Sequence, residues 1–174
     1  QGAIEAKCNN WGTTWKQAID AGQPNIAIVQ VGPWEVVDRK LPGDTQWRAV
    51  GDPVFDDYLR KEMLAAVDLL SSDGAEVMWM TLPPMLAEPG KDPLKERGPG
   101  ADPKRAKRYN ELVNELPELR PGKVRVIDLS SWLVNSGEDP RLRPDGVHFG
   151  LETSREVARR WLADEIVAAY DEDW

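Results

Sequence analysis

The sequence predicts a doubly wound α/β fold, a parallel sheet covered by helices on both faces. Three observations lead there. Three short apolar runs have the near-continuous hydrophobicity of strands buried on both sides. Amphipathic helical patterns alternate with them. Two long loops leave the C-terminal ends of the first two strands, where such sheets place their ligands.

The elements follow in order. A helix is expected over residues 13–21, then a strand over 25–31 (NIAIVQV). A loop, 38–52, leads to a helix over 56–72, whose Leu59, Met63, Ala66, Val67 and Leu70 form one stripe and whose stop is Asp73-Gly74. The second strand is 76–82 (EVMWMTL), followed by a loop over 85–103 that carries Pro89, Pro93, Pro99 and Pro103. A weaker helical pattern over 102–116 is closed by Pro117. The third strand is 124–129 (VRVIDL). A strongly periodic helix over 153–170 places Val157, Trp161, Leu162, Ile166 and Val167 on one face, before a solvated acidic end at 171–173. Three strands are few for a sheet whose ligand crevice needs a reversal of strand order, so further strands are expected on the N-terminal side. No internal repeat is present.

Composition narrows the function. A chain of 174 residues suits one domain, taken as 1–174, with 41% hydrophobic and 30% charged residues. Twenty-two basic against 30 acidic residues give a net charge of −8, which argues against a nucleic-acid partner. One His and one Cys exclude a Cys/His zinc cluster, and no metal or cofactor is expected. No apolar run approaches the roughly 20 residues that span a bilayer. Residues 1–10 lack the basic and apolar regions of a signal peptide. With no initial Met, a processed or truncated chain is expected.

The only His stands in Arg143-Pro144-Asp145-Gly146-Val147-His148-Phe149, between the third strand and the last helix. An Asp three residues before a His, with Gly between, can fold back so that its carboxylate accepts from one ring nitrogen. The other nitrogen is then free to take a proton from a nucleophile. The plainer alternative is a lone surface His beside a turn, and the spacing by itself leaves both open.

Asp145-Gly146-Val147-His148 followed by an amphipathic helix resembles the last catalytic block of the SGNH (GDSL-like) hydrolases. Upstream, Val31-Gly32-Pro33-Trp34-Glu35-Val36 stands where that family carries Gly-x-Asn-Asp. Its Gly-x-Trp-Glu form is similar to the SGNH domains fused behind multi-pass membrane acyltransferases of the acyltransferase-3 type. Cys8 with Trp11 and Trp15, and Val50-Gly51-Asp52-Pro53-Val54-Phe55-Asp56 opening a helix, agree with that subgroup, so the resemblance runs from about Cys8 to Ile166. It implies a three-layer α/β/α flavodoxin-like fold and an extracytoplasmic place, periplasmic or cell-surface, with tethering to the membrane through a missing N-terminal region. His148 and Asp145 are the implied catalytic residues, with Gly32, Trp34 and Glu35 at the oxyanion and substrate side.

The resemblance also implies a Ser in a Gly-Asp-Ser block after a first strand, and none is visible. Gly43-Asp44-Thr45 has similar letters in the wrong order along the chain, and Ser71, Ser72, Ser130, Ser131, Ser136 and Ser154 lack the Gly-Asp context. The nucleophile is therefore expected outside this chain. Cys8 reads either as a thiol that has lost its partner or as a small buried apolar residue. Trp34 replaces a side chain that donates to an oxyanion and can donate only through its indole nitrogen. It reads as a wall for an acyl group or sugar ring, or as core. Gly32 can bring its backbone N–H close to substrate, and Glu35 either orients His148 or pairs with Arg39. Trp47, on a loop, is the candidate for stacking on carbohydrate; Trp11, Trp15, Trp79, Trp132 and Trp161 stand at core-packing positions.

The expected function is that of an SGNH-type ester hydrolase or O-acyl (acetyl) transferase on a cell-surface glycan or glycolipid. The alternative is a non-catalytic module that binds glycan or docks on a membrane acyltransferase. A nucleotide-binding flavodoxin-like domain is disfavoured, since no strand is followed by a phosphate-binding Gly-rich loop.

Overall fold

The computed structural model describes residues 10–87 and 90–171. Cys8 and the acidic residues 172 and 173 lie outside them. The chain is mixed α/β around a parallel sheet of three strands, β1 (Ile26–Val29), β2 (Glu76–Met80) and β3 (Val124–Ile127), in the order β1-β2-β3. Around it run α1 (Trp11–Gly22), α2 (Pro53–Leu70), α3 (Pro93–Arg97), α4 (Pro103–Asn114), α5 (Leu116–Leu119), α6 (Leu129–Ser136), α7 (Asp139–Leu142), α8 (Leu151–Val157) and α9 (Ala163–Asp171).

Alternation along the strands divides the core between two faces. On one face Val29, Val77, Trp79 and Val124 pack against Ile19 of α1, Phe55, Leu59 and Met63 of α2, and Tyr109 and Leu112 of α4. On the other, Met78, Met80 and Ile127 meet Leu133 of α6, Leu142 of α7 and Val157 of α8. The central strand β2 is buried at every residue, as an apolar run with helices on both sides requires. Edge strand β1 is not: Ile28 is 47% exposed. The Glu76 N–H donates to the Asn25 carbonyl at 2.8 Å, and Ala27 faces β2 on the same side. Ile26 and Ile28 therefore turn their backbone groups outward, where no strand lies among the described residues.

Helix starts share one device. Asp52-Pro53, Asp92-Pro93 and Asp102-Pro103 open α2, α3 and α4, each Asp carboxylate accepting from the N–H two residues on (Val54 2.8 Å, Leu94 3.0 Å, Lys104 2.9 Å). The side chain satisfies a donor that has no partner within the helix, and Pro supplies a helical φ where no N–H is needed.

Three expectations are revised. The third strand ends at Ile127, because Asp128 caps α6 by accepting from the Ser131 N–H. The loop 85–103 contains α3 and the short 3₁₀ turn Pro99–Ala101. The last helix is interrupted by a π turn, Ala158–Leu162, within which Trp161 stacks on Trp132 with ring centroids 4.6 Å apart.

Candidate functional site

Three loops leave the C-terminal ends of the strands, and two of them are joined closely. After β3, α6 and α7, residues 143–146 form a tight turn in which the Gly146 N–H donates to the Arg143 carbonyl at 2.7 Å. Gly146 has φ +76°, a conformation that favours glycine. The turn carries Asp145 forward so that its Oδ1 accepts from the backbone N–H groups of Val147 (2.9 Å) and His148 (2.7 Å). Its Oδ2 lies 2.7 Å from Nδ1 of the His148 ring.

These bonds hold the Asp145 carboxyl well below the usual carboxylate range, the His148 N–H contributing most, then the imidazole and the Val147 N–H. A carboxylate so held only accepts, so Nδ1 of the neutral ring carries the hydrogen and Nε2 presents a lone pair. The ring side chain is 77% exposed. With Pro144, Asp145, Phe149 and Gly150 it lines an open depression of about 450 Å³.

The loop after β2 lies directly against this turn. Leu86 donates its N–H to the Gly146 carbonyl at 2.9 Å. Arg97 of α3 donates from Nε to the Leu86 carbonyl at 2.8 Å and from Nη2 to the Asp145 carbonyl. Deeper down, Thr81 donates to Asp128 at 2.8 Å and accepts from the Ser130 N–H at 2.9 Å. Burial pushes the Asp128 carboxyl up, but bonds from Ser131 and Thr81 outweigh it and leave it below its ordinary range.

The loop after β1 is fixed differently. Pro33–Val36 form a 3₁₀ turn anchored by the buried Val36. Its carbonyls are held by arginines: Arg39 donates to the Trp34 carbonyl, and Arg105 donates to that of Val36 at 2.9 Å and to Asp38 at 2.6 Å. Glu35 pairs with Arg39 at 3.3 Å, the second of its two expected roles. The Trp34 indole is 75% exposed, which excludes the core reading. A Cβ on Gly32 would meet only the Trp34 ring edge, at 3.9 Å, so no contact in the described chain demands glycine there. Gly100 connects this loop to the one after β2: its added Cβ would lie 2.9 Å from Val37 and 3.4 Å from Met85.

Thus Asp145 and His148 are brought together. Gly32, Trp34 and Glu35 sit at the end of β1 and do not line the depression around the ring. Trp47 is exposed, with Lys40 over its ring at 5.6 Å. The sequence reading missed Arg97 and Arg143. Asp139 and Arg143, four residues apart, were a readable signal for an ion pair, whereas Arg97 meets residues 11 and 48 positions away.

No family model matches the chain, and no curated protein matches it. Among the described residues, no group of three or more His, Cys, Asp and Glu is placed to hold a metal ion. No described helix is long and apolar enough to cross a membrane.

Proposed function

We propose that this chain carries the acid–base half of an SGNH-type, three-layer α/β/α domain. The domain would be extracytoplasmic and would act on O-acyl groups of a cell-surface glycan or glycolipid, as an esterase or an O-acyltransferase. The observation that carries the reading is the Asp145–His148 contact of 2.7 Å, with the second carboxylate oxygen held by two backbone N–H groups. That arrangement fixes the tautomer a general base needs.

In this mechanism a Ser from outside the chain loses its proton to Nε2 of His148 as its oxygen bonds to the ester carbonyl carbon. The tetrahedral intermediate expels the alcohol, which takes the proton back from Nε2. Water or a sugar hydroxyl then gives its proton to Nε2 as its oxygen bonds to the acyl carbon. The Ser–acyl bond breaks with the Ser oxygen taking that proton back, releasing the acid or a new ester. Asp145 stabilises the imidazolium at each stage. The N–H near Gly32 would face the oxyanion, and Trp34 would wall the acyl or sugar group. The outward side of β1, beside which no strand lies among the described residues, supports a nucleophile arriving on a neighbouring strand.

The test is hydrolysis of p-nitrophenyl acetate by this chain and by a form extended through its upstream coding sequence. The 174-residue chain is expected to be inactive, and the extended form active. His148→Ala is expected to lower turnover of the extended form by about 10³-fold or more. Robust turnover by the short chain that disappears with His148→Ala overturns the placement of the nucleophile. Near-normal turnover by the extended variant overturns the role of His148.

The exposed Trp34 favours a second reading, a non-catalytic module that binds glycan or docks on a membrane acyltransferase. Saturable binding of an acetylated oligosaccharide by an extended form that never turns over esters supports that reading.

A further inference from the structure

His148 projects into solvent, so packing does little to orient its ring; its direction is set by Asp145, and that of Asp145 by the turn beneath. The turn is fastened to the loop after β2 by three contacts that alternate along both segments. Arg143, only 3% exposed, grips Asp139 through two bonds of 2.6 Å and uses Nη2 to reach the Pro84 carbonyl at 3.0 Å. Leu86 N–H meets the Gly146 carbonyl. Arg97 bridges the carbonyls of Leu86 and Asp145.

A buried ion pair is a weak device for stability, because desolvation offsets most of its attraction and an apolar pair of equal volume serves as well. An arginine fork differs in having donors to spare at fixed angles. Here the spare donor reaches a carbonyl on another segment, 59 residues away.

We infer that Arg97 and Arg143 are positioning residues that set the Asp145–His148 geometry by locking residues 143–146 to residues 84–86. The inference rests on the acid–base reading above. It extends that reading to two residues that touch neither the ring nor the proposed substrate.

Because the chain has a single His, its ring nitrogens can be read alone by long-range ¹⁵N–¹H correlation spectroscopy of the intact protein at alkaline pH. The wild-type ring is expected in the Nδ1–H form. In Arg97→Ala, with circular dichroism unchanged, the ratio of Nδ1–H to Nε2–H is expected to fall about fivefold, the worth of one net hydrogen bond. Arg97→Lys, with no planar fork, should restore only part of it. The double variant Arg143→Met with Asp139→Leu keeps the buried volume and leaves no orphan charge, and it should show a similar fall. A wild-type Nδ1–H ring that stays unchanged in both variants overturns the positioning role alone. A wild-type ring in the Nε2–H form removes the acid–base reading itself.

Discussion

The two ends of the candidate site are built to different degrees of completion. Around β2 and residues 143–150, each backbone group just described has a partner, and the central strand is buried throughout. After β1 the turn Pro33–Val36 is also held, by Arg39 and Arg105, yet this side has little cover among the described residues: the Trp34 indole is in solvent, Ile26 and Ile28 form an outward edge, and a glycine has room beside it. Hydrogen bonds hold the loop backbone on both sides, so the difference is not one of anchoring. It lies in what remains for something else to contact. One side is closed by the chain's own contacts, and the other stays open among the described residues.

The largest expected effect tests this contrast at the strands. Met78, fully buried at the centre of the sheet, and Ile28, on the same face at its edge, differ mainly in cover. Met78→Ala is expected to cost about 2–5 kcal/mol in chemical denaturation, through lost transfer energy and an unfilled cavity. Ile28→Ala should cost about 1 kcal/mol or less in this chain, since half of its side chain already meets water. In the extended form the cost at Ile28 should rise if a strand pairs there. Equal costs at the two positions in the short chain would erase the distinction between centre and edge.

Next in size is Gly146→Ala. The added Cβ would lie 2.3 Å from the Leu86 carbonyl oxygen, a backbone atom that cannot swing aside, and φ is +76°. A loss of about 1–3 kcal/mol is expected, with a drop in melting temperature of about 2–4 °C per kcal/mol for a chain of this size. The His148 ring signals should move with it, because the Gly146 carbonyl is the acceptor that holds Leu86. Unaltered stability would mean that the turn can leave its seat freely.

How much of this was legible in the sequence follows from the range of the interactions. The alternation of strands and helices was readable, because periods of two and 3.6 are local. The Asp145–His148 pair was one of two readings that a spacing of three residues left open, and the 2.7 Å contact selects it. α6 as a whole was missed, and its start was hidden because Asp128-Leu129 extended the apolar run of β3, although an Asp three residues before Ser131 is itself a capping signal. α3 was missed inside a loop rich in Pro, although Asp92-Pro93 repeats the Asp-Pro start of α2 and α4. Arg97 was not legible at all. Its two carbonyl partners come from different loops, and only the folded sheet brings them together.

The smallest expected effect bears most directly on the open side. Gly32 has φ −103° and ψ −178°, extended backbone that any residue adopts, and its Cβ position is nearly empty. Gly32→Ala should therefore leave stability unchanged or raise it by about 0.4–1 kcal/mol, since alanine has fewer unfolded conformations to lose. A methyl group there would nonetheless take up space beside the Gly32 N–H that the proposed oxyanion role needs. In the extended form, the same substitution is expected to reduce ester turnover while denaturation curves stay in place. Gly146→Ala should reduce both together, so two glycine-to-alanine changes distinguish the closed side of the site from the open one. Full turnover in Gly32→Ala would show that the space beside Gly32 is not where the acyl group sits, and Trp34 would then lose its place in the reaction as well.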